Sequence, residues 1–379
     1  MKKIRSILYL LTWLHYVLSW NVAVAQPVDK KANPQTNNLL VSLRKLLPKG
    51  ILFGHQDDLA YGVGWKYQPG RSDIKDVTGE YPAVYGWDYA GLEKDSKLNI
   101  DGVPFEKMRE YIKQGYNRGG VITVSWHLDN PLTGKNAWDT THGGVAAILP
   151  GGVAHRLYTS WLDKVAAFSL SMRGSDGELI PILFRPFHEL TGNWFWWTKN
   201  TCTPDQFKEL WKFTFNYLTE TKKVHNFIYV YNTAGNFTSK EAFLERYPGD
   251  EYVDIVSFDA YQFGDPSKDD SFVKQVQQQL SILNTVASEH RKVPAFGETG
   301  YEAIPFKKWW TGTLWKAIGK YPISYILLWR NHGLQENGNM HYYVPYKGQI
   351  SEQDFLAFYK MKKMFFEKKA REKKLYKKN

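Results

Sequence analysis

Short apolar runs recur along the chain at intervals long enough to hold a helix between them. Eight stand out, at residues 51–55, 83–87, 121–126, 180–187, 227–231, 253–258, 293–296 and 323–329. The fourth is the most informative. It lies within LIPILFRPFHELTGNWFWW (179–197) and ends in His188-Glu189 ahead of a tryptophan cluster. Periodicity alone allows a buried strand or helix there, but the short length, Pro186 and the flanking Gly177 and Gly192 favour a strand. Between the runs, residues 105–116, 155–172, 204–221, 272–290 and 306–318 carry apolar side chains at helical spacing. Eight such alternations predict the α/β class, as a single-domain (β/α)8 TIM barrel over residues 39–366 rather than an open sheet. Ser351 to Asp354 has the spacing of a capping box ahead of Phe355, Phe358 and Tyr359, which predicts a closing helix. Residues 26–38, rich in Pro and Asn, read as a linker.

The polar residues that follow the runs are His55, Asp88, His127, His188, Glu189, Asn232, Asp259, Tyr261, Glu298, Trp329 and Arg330. A barrel brings them to one face, at the carboxyl ends of its strands. Glu189 follows the fourth run and Glu298 the seventh, so their carboxyl groups face each other across the barrel. A separation of about 5.5 Å is what a retaining glycosidase uses, with one protonated carboxyl to donate to the leaving oxygen and one carboxylate to attack the anomeric carbon. Glu189, beside His188 and the aromatic residues 194–197, has surroundings that raise a carboxyl pKa through desolvation and a neighbouring anion. Glu298 is then the nucleophile, with Arg330 or the Tyr261 hydroxyl to keep it ionised and oriented.

Composition supports a carbohydrate ligand. Aromatic residues make up 16% of the 379, with 15 Trp and 24 Tyr, more than a core alone requires, and flat apolar rings suit the faces of sugars. The net charge of +11 sits mostly at the ends. Residues 361–379 hold nine Lys or Arg against two Glu, Lys2, Lys3 and Arg5 add three more, and about +1 is left for the body. A nucleic-acid partner is therefore not expected, because the region of the candidate site is aromatic and acidic. The basic tail, 367–379, reads as a solvated helix face or a frayed end.

Lys2, Lys3 and Arg5, the apolar stretch 7–20 and Ala23-Val24-Ala25 have the form of a cleaved signal peptide over residues 1–25. With no cysteine near the cleavage site, an exported protein without a stable membrane anchor is expected, periplasmic rather than extracellular. Cys202 is the single cysteine and excludes an intramolecular disulfide; it reads as a buried free thiol. His127, His142 and His188 lack the spacing of a zinc motif, and phosphate-binding glycine loops and a G-x-S-x-G elbow are absent, so neither metal nor cofactor is expected.

Phe53-Gly54-His55-Gln56, Ser125-Trp126-His127, Arg185-Pro186-Phe187-His188-Glu189 with Trp194, Ser257-Phe258-Asp259-Ala260-Tyr261, Gly297-Glu298 and Leu328-Trp329-Arg330 together resemble glycoside hydrolase family 26, most closely its β-mannanases. The likeness runs from residue 39 to 358, and its specific part is the histidine before the acid/base. It implies Glu189 as acid/base and Glu298 as nucleophile. It also implies that His188 hydrogen-bonds near the nucleophile and its sugar, and that Tyr261 touches the nucleophile. Trp329 would floor the −1 subsite with Arg330 beside it, His127 and Trp126 would wall that subsite, and Trp194 would be the +1 platform. Trp138 would serve a further subsite, while Trp196 and Trp197 read as core and His55 as structural. The implied activity is that of a monomeric, retaining endo-β-1,4-mannanase on mannan, glucomannan or galactomannan. An exo-acting mannobiohydrolase is the alternative if the loops after strands two and eight, around 61–71 and 332–346, wall off one end of the cleft. A catalytically silent mannan-binding barrel is the alternative outside enzymes.

Overall fold

The computed structural model describes residues 26–335 and 338–378; the expected signal peptide lies outside the described residues. Eight parallel strands follow the eight runs: β1 Ile51–Gln56, β2 Val84–Asp88, β3 Val121–Trp126, β4 Ile182–Pro186, β5 Phe227–Ala234, β6 Ile255–Gln262, β7 Val293–Tyr301 and β8 Tyr325–Leu328. Each pairs with the next, and β8 returns to β1 through Leu52↔Tyr325 to His55↔Leu328, which closes the barrel. A two-residue strand, Met364–Phe365, runs beside the start of β1.

Alternation along the strands divides the core in two. Leu52, Val84, Leu183, Ile228, Val230, Ile255, Val293 and Leu327 form one cluster with Leu39, Leu40, Leu43 and Leu46 of helix α1 (Pro34–Leu46), which plugs the amino-terminal end. Their strand neighbours belong to a second, larger cluster shared with the surrounding helices. Phe53, for instance, packs its ring 5.5 Å from Phe355 and 6.0 Å from Phe358.

Three expectations change at the ends. Part of the predicted linker is helix α1, because Asn33 accepts the Thr36 N–H at 2.8 Å and Pro34 occupies the first turn, an Asn-Pro start that composition alone disguises. The closing helix Glu352–Tyr359 forms without a capping box: Ser351 Oγ donates to Gln349, and Asp354 accepts from the Thr311 N–H and hydroxyl. The basic tail is fastened rather than frayed, with Glu367–Glu372 helical, Leu375 buried and the Tyr376 hydroxyl donating to Gly120 O at 2.6 Å.

The loop around 61–71 follows β1, not the second strand. Its hairpin, Tyr61–Gly62 with Trp65–Lys66, is joined to the loop after β8 by Asp73, which accepts from Trp65 Nε1 at 2.6 Å and from Asn331 Nδ2 at 2.8 Å. Tyr61 meets His332 ring to ring at 5.7 Å. Among the described residues, no helix is long and apolar enough to cross a membrane.

Candidate active site

Beyond β4 the backbone turns sharply, with Phe187 at φ 51° and Glu189 at φ 53°. Left-handed backbone at a bulky residue costs on the order of 1–3 kcal/mol and persists only where neighbours impose it. Here Asn232 Oδ1 accepts the Glu189 N–H at 2.9 Å, and Trp197 Nε1 donates to His188 O at 2.9 Å. On the far side, the β6–β7 register slips between Phe258↔Phe296 and Asp259↔Glu298, a bulge at Gly297 that turns Glu298 inward. A Cβ at Gly297 would sit 2.5 Å from Asn232 Nδ2 and 2.6 Å from Asp259 Oδ1, so only glycine fits.

These two devices bring three carboxyl groups together. One oxygen each from Glu189, Asp259 and Glu298 lies within 4.8 Å of the others. Arg185, buried inside the barrel from β4, reaches between them: Nη1 donates to Asp259 at 2.7 Å and Nη2 to Glu298. The Tyr261 hydroxyl donates to Glu298 at 2.8 Å, Asn232 Nδ2 to Asp259 at 2.8 Å, and Trp194 Nε1 to Glu189 at 2.5 Å. Arg185 thus supplies positive charge to two of these three carboxyl groups.

The electrostatics separate the groups. Glu189 is pushed up to about 7, first by burial and then by the charge of Glu298, with the Trp194 donor pulling the other way. Burial also pushes Asp259 well above the carboxylate range, against the pull of Arg185. Burial alone would lower the guanidinium of Arg185, but Asp259 and Glu298 outweigh it and hold the charge in place.

A second polar chain runs from β2 to β4. Asp88 accepts from Ser125 Oγ at 2.6 Å and from His127 Nδ1 at 2.7 Å, and His127 Nε2 lies 3.1 Å from His188 Nε2. Burial works against a charge on His127, yet Asp88 outweighs it and raises the imidazole above its ordinary value. Burial, then His127 and Arg185, depress His188 far below its own. Of the two facing imidazoles, His127 is therefore the one that favours a proton and His188 the one that resists it. Trp138 stacks on His127 at 5.3 Å, and the Trp329 ring lies 6.4 Å away.

Glu189, Glu298, His127, His188, Trp138, Trp194, Tyr261 and Trp329 thus surround one space. Three placements differ from expectation. Trp126 is fully buried behind the wall, stacked on Tyr158 and donating to Glu93, because adjacent strand residues face opposite ways and His127 takes the inward side. Arg330 pairs with Asp101 at 2.9 Å, and the cation beside Glu298 is Arg185. His188 spends its ring hydrogen bond on His127, not beside Glu298. Trp196 and Trp197 are fully buried, and His55 is tied to Asp58 at 2.8 Å, as core and structural readings require. Cys202 is a buried free thiol. The sequence reasoning passed over Arg185, whose one signal was a charge inside an apolar run, and gave Asp88 and Asn232 no role.

Comparison with known proteins agrees with this arrangement. Residues 28–317 match the family model for glycosyl hydrolase family 26. A mannan endo-1,4-beta-mannosidase of Bifidobacterium adolescentis is 32% identical over 347 residues, covering 87% of this chain but 34% of its own length. So the chain spans about a third of that protein. One of Bacillus subtilis is 34% identical over 292 residues, 72% of this chain and 73% of that protein. The solved structure of a GH26 beta-mannanase from Bacteroides ovatus superposes with a TM-score of 0.84 at 45% identity, covering 88% of this chain and 95% of that one. The chain belongs to glycosyl hydrolase family 26.

Proposed function

We propose that the protein is a retaining β-1,4-mannanase. The observation that carries this reading is the pair Glu189 and Glu298, two carboxyl groups held within 4.8 Å of each other with different partners, the first bonded by the neutral Trp194 indole and the second by the Arg185 guanidinium and Tyr261. Spacing near 5 Å leaves no room for a water between carboxylate and sugar, which favours double displacement over inversion. Glu298 attacks the anomeric carbon as Glu189, protonated below about pH 7, gives its proton to the departing glycosidic oxygen. The sugar is then an ester on Glu298. Glu189, now a carboxylate, takes a proton from a water that attacks the same carbon, and Glu298 leaves as the carboxylate it was.

Arg185 and Tyr261 donate to Glu298 and aim it, and Trp194 offers its face to the leaving sugar while its N–H steadies Glu189. Trp329, His127 and His188 line the glycone side. The mannan-cleaving relatives indicate the substrate class, mannan, glucomannan or galactomannan. We place the enzyme in the periplasm as a monomer after removal of residues 1–25. An exo mode that releases mannobiose is the second reading, because the loops after β1 and β8 are pinned to each other through Asp73 at the end of the cleft marked by Arg330.

Proton NMR of the first products tests the mechanism: the β-anomer should appear first, and an α-anomer first would refute it. Glu298→Ala should abolish hydrolysis, and full mannan hydrolysis by that variant would overturn the assignment. A time course on mannohexaose separates the modes, a mixed ladder for endo and mannobiose alone for exo.

A further inference from the structure

The proposed reaction leaves the opposite end of the barrel without a task, and most of the chain's net charge is there. Once Lys2, Lys3 and Arg5 are set aside, residues 26–379 carry a net +8, and residues 361–379 account for +7 of it. The rest of the barrel is close to neutral.

The basic tail is a strap across the amino-terminal rim. Ile51 N at the start of β1 donates to Lys363 O at 2.8 Å, and Glu367 N donates to Tyr81 O at 3.1 Å in the turn before β2. Glu80, in the same turn, accepts the Lys368 N–H at 2.8 Å. Tyr376 then bonds Gly120 at the start of β3, and its carbonyl accepts from Asn38 Nδ2 of α1 at 3.0 Å. Three neighbouring strands and the plugging helix thus hold one basic segment in place.

The cations it presents are unneutralised. Lys362, Lys363, Lys368, Lys374, Lys377 and Lys378 are exposed, and among the described residues none of their ammonium groups pairs with a carboxylate. Glu367 is taken by Arg371. Where the strap meets α1 it borders a cavity of about 580 Å³, whose walls carry Lys30 and Lys45 as well as Lys377 and Lys378. Its one acidic wall residue, Asp29, is already engaged, accepting from His225 Nδ1 at 2.8 Å and from the Lys31 N–H at 2.9 Å. Like charges gathered this way repel one another, and an anion among them relieves the repulsion.

Shape and charge select the partner. The lysines follow the rim over three strands and the plug instead of lining a groove of aromatic rings, as a single-stranded nucleic acid would require, so a broad negative surface meets more of them at once. No large apolar side chain of residues 26–49 or 361–378 is exposed, so contact stays at the level of charged headgroups. The export expected from residues 1–25 brings the chain beside a bilayer. Glu189 and Glu298 lie at the far end of the barrel, so a molecule resting on this face keeps its cleft turned to solvent.

We infer that the amino-terminal face is a peripheral docking surface for anionic phospholipid headgroups, held by charge and reversible in salt. Co-sedimentation of the mature protein, residues 26–379, tests it with vesicles of one part phosphatidylglycerol to two parts phosphatidylcholine against vesicles of phosphatidylcholine alone. The protein should bind the anionic vesicles at low salt, ignore the neutral ones, and be released at about 0.5 M NaCl, where screening acts within a few ångströms. Lys377→Glu/Lys378→Glu should weaken binding by roughly tenfold or more while hydrolysis of soluble mannan stays the same. Lys307→Glu/Lys308→Glu makes the same change of charge at exposed positions beyond the carboxyl end of β7, and should bind as wild type does. No binding to anionic vesicles, equal binding to neutral ones, the same affinity in all three proteins, the same loss in both variants, or displacement from the vesicles by a DNA duplex would overturn the docking surface. The binding readout needs no hydrolysis, so it stands or falls apart from the mannanase reading.

Discussion

Trp194→Phe isolates the hydrogen bond that tunes the acid. The phenyl ring keeps an aromatic platform but removes the indole N–H that reaches Glu189 Oε2 at 2.5 Å. That donor favours the charged carboxylate, so its loss favours the proton. A hydrogen bond to a charged group contributes about 1.5–3 kcal/mol, and Trp194 is 37% exposed, so water replaces part of it. A remainder near 1.4 kcal/mol corresponds to about one pH unit. In the wild type, Glu189 titrates at about 7, so kcat/KM should fall above that pH as the acid is lost. In the variant that alkaline limb should move upward by about one pH unit. The assay is kcat/KM on mannohexaose from pH 4 to 10, in which the limb reports the free enzyme and any weaker sugar stacking lowers the whole curve without moving it. An alkaline limb that stays in place or moves down would refute the view that Trp194 tunes Glu189.

Burial of Glu189 carries a stability cost of determined sign. Its pKa is raised from 4.5 to about 7, so between those pH values the folded state binds more protons than the unfolded, and stability falls as pH rises. Glu189→Gln should therefore be more stable than wild type above pH 7, by up to about 3 kcal/mol, and equal to it near pH 4, as read by chemical denaturation. Arg185→Met leaves Asp259 and Glu298 facing each other without their cation; a loss of about 3–5 kcal/mol in denaturation and of nearly all activity is expected. Deleting residues 367–379 strips the buried Leu375 and the Tyr376–Gly120 bond from the amino-terminal end and should cost about 2–4 kcal/mol with kcat unchanged, because the site is at the other end of the barrel.

The strands were legible because their signal is local. All eight apolar runs are strands, the third with both ends as expected and the others displaced at one or both ends by one to five residues, and the largest displacement has a cause. The seventh run stops at Phe296, since Gly297 and Glu298 break its pattern, yet β7 continues to Tyr301 because the bulge resumes the ladder at Asp259↔Glu298. Asn33-Pro34 failed to register as a helix start because its neighbours are polar, and Trp126 was paired with His127 although a strand cannot turn two consecutive side chains to one face. What remained hidden depends on distance along the chain. Arg185 finds its partners 74 and 113 residues away, and nothing near it announces either.

That difference bears on the two glutamates themselves. Both follow apolar runs in the sequence, and the aromatic residues after Glu189 are the one local sign that divides an acid from a nucleophile. The division comes from what the barrel brings to each. Glu189 receives burial and an anion across the pore, which push its pKa up to about 7 against the pull of its one neutral donor, Trp194. Glu298 receives a guanidinium from β4 and a phenol from β6. On the proposed mechanism, exchanging the two environments would exchange the two roles, which makes Arg185, rather than either glutamate, the residue that would set the direction of the chemistry.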